Sequence, residues 1–141
     1  MNGTLAILGS AIFIALGLWH FYWALGGTLG KDAAIPEVDG KPAFTPSVGI
    51  TVLVAVVLLA FALLVAVTAD LVELPLPRSV LVWSCYGLAF GLFARAIGEF
   101  RLVGFFKRIK GSAFARMDTW VYSPLCLFLS YIAFAVGNAN P

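Results

Sequence analysis

The stretch "ARAIGEFRLVGFFKR" sets Arg95 and Glu99 at i and i+4, at the edge of a run of Leu, Phe, Gly and Ala. That spacing puts both side chains on one face of a helix. A charge in hydrocarbon costs several kcal/mol unless it is paired or hydrated, so two readings follow. In the first, Arg95 and Glu99 line a pocket for a polar or anionic ligand, with Asp118 and Tyr122, themselves at i and i+4, completing it. In the second, Arg95 and Glu99 neutralise each other near a helix end and tie their helix to the next through Asp118.

His20, between "LGLW" and "FYW", is the only imidazole. It is read as a hydrogen-bonding anchor within an aromatic cluster, with a proton carrier as the alternative, and it joins the candidate ligand-binding set. A lone His excludes bis-His haem ligation. Cys85 and Cys126 fall in different apolar runs near opposite membrane faces, so neither a disulfide nor a metal pair is expected. No cofactor is implied. Glu99 or Asp118 beside Tyr122 offers an acid or base, but no nucleophile–base pair can be read from the spacing.

Helices long enough to cross a bilayer must position these groups. Of 141 residues, 62% are hydrophobic and 11% charged, and the mean hydropathy is +1.00. Lipid must be the solvent for most of that surface. Four apolar runs, about 4–26, 47–69, 79–99 and 119–138, each suffice for a hydrocarbon core about 30 Å thick. The expected fold is an all-α four-transmembrane-helix bundle forming one membrane domain over 1–141. "MNGT" lacks a basic residue and the first run is too long for a signal peptide, so a retained helix is expected.

The basic residues orient the bundle. The first and third loops share one face and carry Lys31, Lys41, Arg101, Lys107, Arg108, Lys110 and Arg116, whereas the opposite face has only Arg78. The positive-inside rule then places both termini outside, and the loops in the cytoplasm, of a bacterial inner membrane. Arg95, His20, Asp118 and Tyr122 all fall in the cytoplasmic leaflet. The third loop alternates Phe and Ile with Lys107, Arg108, Lys110 and Arg116, which suits a segment lying on anionic headgroups. The Trp residues read as an interfacial belt.

Helical rows give expected contacts. Trp83, Gly87, Gly91, Arg95 and Glu99 form one row, so the small residues are expected at a helix–helix interface leading into the charges. That row, the row Asp118, Tyr122, Cys126, Ser130, and the row Gly9, Phe13, Gly17 should face one another. The second run, nearly all Val, Leu and Ala, should meet lipid along much of its surface. Pro124 either kinks the fourth helix or sits harmlessly in its first turns. A short parallel repeat links "ALGG" with "AIGE" and "FTP" with "YSP" in the two halves.

The motifs "HFYWALGG", "RAIGEFRLVGFFKR" and "DTWVYSPLCLFL" together resemble a family of small bacterial four-span membrane proteins of unknown function. The resemblance covers nearly the whole chain. It implies four transmembrane helices and supplies no activity. Three classes of function therefore stand. The first is a protein that binds or transports a small polar, anionic or amphipathic ligand through His20, Arg95, Glu99, Asp118 and Tyr122. The others are an accessory subunit of a larger membrane complex and a lipid-modifying enzyme. Expected partners are the bilayer, its anionic headgroups, a small-molecule or lipid ligand, and a second copy or another membrane protein, with no nucleic acid.

Overall fold

The computed structural model describes residues 2–140. Helices α1 (Asn2–Ala24), α2 (Val48–Thr68) and α3 (Arg78–Ile97) are followed by a short α4 (Ala113–Met117), a π-helical turn (Asp118–Tyr122) and α5 (Ser123–Ala139). The last three run on as one span, Ala113–Ala139, so four helices are long and apolar enough to cross a membrane. Loop 1 (25–47) holds a two-residue antiparallel hairpin, Glu37–Val38 with Lys41–Pro42. Local chemistry sets the helix starts. Ser47 accepts from the Ile50 N–H at the head of α2, and Ser112 from the Ala115 N–H at the head of α4, each satisfying a backbone donor that has no partner within the helix. The wide π turn sits just before Pro124, whose ring lacks an N–H and would crowd the carbonyl four residues back in a regular helix.

The bundle is two antiparallel hairpins, α1 against α2 and α3 against α5, joined chiefly along α1–α5 and α2–α3. The core draws Ala6 and Phe13 from α1, Ala62 and Val65 from α2, Leu88 and Ala89 from α3, and Leu129, Ile132, Ala133 and Val136 from α5. Hydroxyls stitch the helices where water is absent. Ser10 donates to the Ala62 carbonyl at 3.0 Å, Ser130 to that of Ala89 at 2.6 Å, and the Cys85 thiol to Thr68 Oγ1 at 3.3 Å. Helix α2 turns much of its surface outward, as its composition suggests, and buries only Ala55, Ala62, Val65, Val67 and Thr68.

Of the glycine rows expected at helix contacts, the one on α1 meets its neighbours and the one on α3 does not. A Cβ on Gly9 would lie 2.8 Å from Ile132 Cγ2, one on Gly17 would lie 3.0 Å from Leu59 Cδ2, and one on Gly137 would lie 3.3 Å from Cys85 Cβ. Gly87 and Gly91 meet nothing within 4 Å and are exposed. The row from Trp83 to Gly91 therefore faces outward, because Leu81, Val82, Cys85, Leu88 and Ala89 supply the buried face of α3. At the loop 2 end (69–77), Arg78 grips Asp70 with two bonds of 2.9 and 2.7 Å and reaches Asn140 Oδ1 at 3.4 Å. The guanidinium holds the exposed Asp70 carboxyl below its usual range.

Overpacking a closed helix contact costs about 1–3 kcal/mol. Gly137→Leu should therefore lower the melting temperature in detergent. Gly91→Ala, with open space around it and a gain in helix propensity of up to about 1 kcal/mol, should leave it unchanged or raise it.

Candidate functional site

Loop 3 (98–112) begins where α3 stops. Gly98 ends the helix at φ 88°, and Gly104 turns at φ 87°. A Cβ on Gly98 would overlap the Val103 carbonyl, and one on Gly104 would overlap that of Ile97. Only glycine allows the two strands of this loop to touch backbone to backbone. The fold-back is fixed by the Phe105 N–H donating to the Ala96 carbonyl at 2.8 Å. Its effect is to carry the Gly104 N–H and the Lys107 ammonium into the bundle end.

Both meet Asp118 at the start of the π turn. Asp118 is fully buried and accepts from Arg95 Nη2 at 2.8 Å through Oδ1, and from the Gly104 N–H at 2.7 Å and Lys107 Nζ at 3.1 Å through Oδ2. Lys107 is itself 3% exposed and also donates to the Gly104 carbonyl at 3.0 Å and to Thr119 Oγ1 at 2.6 Å. All three ammonium protons are thus satisfied. The expectation that Lys107, Arg108, Lys110 and Arg116 all lie on a membrane surface fails at Lys107, and Arg116 falls in α4 rather than in loop 3. Arg108, Lys110 and Arg116 are exposed as that expectation requires.

The sequence-derived site residues separate into four places. Arg95 and Asp118 do come together, as one ion pair of a triad. Glu99 does not pair with Arg95. Gly98 breaks the helix before it, so the i, i+4 geometry is lost, and the exposed Glu99 carboxylate accepts from the Leu102 N–H within loop 3. Tyr122 donates to the Ala33 carbonyl of loop 1 at 2.9 Å, and its ring lies 5.9 Å from that of Phe114. It is a strap between the fourth span and loop 1. His20 stands on α1, its Nδ1 2.7 Å from the Leu16 carbonyl and its ring 5.0 Å from that of Trp23.

His20 borders a cleft of about 220 Å³ between the end of α1, loop 1 and the start of α2. Ile35, Phe44, Pro46, Ile50 and Val54 form the apolar walls, and Trp23, Lys31 and Thr51 join His20 as the polar lining. The cleft is shaped by contacts within loop 1. Trp23 Nε1 donates to the Leu29 carbonyl at 2.8 Å, Ala34 N–H to that of Lys31 at 3.1 Å, and Ala43 N–H to that of Pro36 at 2.7 Å. Ala34, next to the residue held by Tyr122, lines it too. Arg95, Asp118 and Lys107 do not line it. Sequence spacing missed Lys31 and Lys107 because both sit in loops, where no helical period reports direction. The glycines flanking "EFRLV" were the available signal for a folded loop 3.

Removing Asp118 would strand a buried ammonium, a change that costs about 3–5 kcal/mol in comparable buried pairs. Asp118→Leu should therefore be strongly destabilising in detergent melts, and adding Lys107→Met should recover part of the loss, since Lys107 is the more deeply buried of the two cations. Glu99→Leu removes one exposed loop hydrogen bond and should cost no more than about 1 kcal/mol.

No curated protein and no solved structure matches the chain. The family of proteins of unknown function designated DUF3995 matches residues 13–133, which takes in α2, α3, both long loops, most of α1 and the greater part of the fourth span. The chain is a multi-pass membrane protein of that family.

Proposed function

We propose that this protein resides in the bacterial inner membrane with both termini outside, and that it binds a small amphipathic ligand in the cleft beside His20. The cleft is the observation that carries the reading. It pairs apolar walls with a few polar groups, the usual composition of a small-molecule site, and is small enough to hold a compact molecule or one end of a chain. It opens at the end of the bundle where the basic loops lie, the cytoplasmic side under the positive-inside rule. His20 stands about 6 Å inside the end of α1 by the helical rise, within reach of a ligand partitioned at the interface. Arg95 and Asp118 serve each other and the fold of loop 3, and on this reading contribute support rather than ligand contacts.

The accessory-subunit reading draws on a different observation. Gly87 and Gly91 leave α3 backbone open toward the bilayer, a surface on which another helix could seat.

Photo-crosslinking with short alkyl amphiphiles bearing a diazirine tests the binding reading. Saturable labelling should map to Phe44, Ile50 and Val54 and disappear in Val54→Trp, which fills the cleft. Labelling spread evenly over lipid-facing positions such as Phe90 and Phe93 would overturn it. For the orientation, a C-terminal fusion to a reporter active only outside the cytoplasm should be active, and an inactive one would reverse the assignment of sides.

A further inference from the structure

The cleft carries an uncompensated charge. Lys31 is its sole charged lining residue, is half-buried, and forms no salt bridge among the described residues. The acidic residues of loop 1, Asp32, Glu37 and Asp39, do not line the cleft. A half-buried lysine that lines a mostly apolar cleft with no carboxylate in it is an incomplete arrangement, since charges taken partly out of water are stabilised by pairing.

The other polar groups define what completes it. The partner of His20 Nδ1 is a carbonyl, which only accepts, so Nδ1 carries the proton and Nε2 is the nitrogen left uncommitted. Thr51 Oγ1 spends its proton on the Ser47 carbonyl at 2.9 Å, leaving its lone pairs. The lining therefore offers one cation and two acceptors above an apolar floor.

We infer that the ligand of this cleft is an acid with a single apolar tail, its anionic oxygen on the Lys31 ammonium and its tail along Ile50 and Val54. Resting on the binding reading above, this assigns its ligand class. The tail is short or only partly enclosed, because a cleft of about 220 Å³ is below the usual range of drug-sized sites. A hydroxyl next to the acid group would find an acceptor at His20 Nε2. Carboxylates and phosphate monoesters share the required chemistry, and the two are separated by comparing both head groups on one tail.

Trp23 lines the cleft and reports occupancy. In a chain carrying Trp19→Phe, Trp83→Phe and Trp120→Phe, reconstituted in phosphatidylcholine nanodiscs at pH 7.5, Trp23 fluorescence is titrated with bromine-tagged ten-carbon probes. The head groups are carboxylate, phosphate, neutral glucoside and trimethylammonium. At least one acid should quench saturably with a Kd about tenfold or more below that of the glucoside, equivalent to about 1.4 kcal/mol. Lys31→Met should bring the acid's Kd to that of the glucoside measured on the same variant, and Lys31→Arg should retain the preference. Equal quenching by all four probes, or preference for the cation, would leave the cleft a binding site and overturn the assignment of an acid. Absence of saturable quenching by any probe would overturn the binding reading and this inference with it.

Discussion

One carboxylate organises the basic end of this bundle. Asp118 is buried with Arg95 on one oxygen and Lys107 and a backbone N–H on the other. Two cations around one anion would be a poor arrangement in hydrocarbon if each had only the carboxylate. Here Lys107 also has a carbonyl and a hydroxyl, and the Arg95 side chain stays partly exposed, although its Nη1 is buried with no hydrogen-bond partner among the described residues. Loop 3 takes its shape from this demand. Without the turn at Gly104, neither its N–H nor Lys107 would reach the carboxylate. Through the same π turn, Tyr122 fixes Ala33, so the wall of the His20 cleft is set from the far hairpin.

The membrane class and the four spans were legible because hydrophobic runs of the right length have few alternatives in lipid. The pairing of Arg95 with Asp118 was legible as well, since a charge so placed needs a partner and Asp118 opens the neighbouring span. The role of Glu99 was not. The row that includes it assumes a continuous helix, and Gly98 ends α3 before reaching it. The same straight-row reasoning placed Gly91 at an interface. Small residues permit close approach without requiring it, and the bulk of Leu81, Val82 and Leu88 decided which face turned inward. Lys107 was read as a surface residue because a loop sequence gives no indication of where the chain folds back on itself.

The two hairpins share a local device. Gly26, after α1, and Gly98, after α3, occupy corresponding places in "ALGG" and "AIGE", and both have positive φ, at 101° and 88°. In each half a glycine turns the chain out of its first helix at the basic end, and a longer loop then feeds the second helix. The loops differ in what they fold around. Loop 1 wraps a cleft bordered by Lys31, whereas loop 3 buries Lys107 against a carboxylate. One lysine is satisfied within the protein and the other is left available.

The helix-to-helix burial is unevenly spread along the membrane normal. Ala6, Val65, Thr68, Leu81, Cys85, Val136 and Gly137 are buried toward the loop 2 end, whereas α2 from Val48 to Val54 and α1 from Leu18 to Ala24 contain no fully buried residue. In mechanical terms the molecule is a pair of levers with a tight fulcrum. Parting the hairpins at the fulcrum would open the contact of Gly9 with Ile132 and the bond from Cys85 to Thr68, while at the other end the hydrogen bond that crosses between the hairpins is the one from Tyr122 to Ala33. A rocking of one hairpin against the other about the loop 2 end would have its largest displacement beside the cleft.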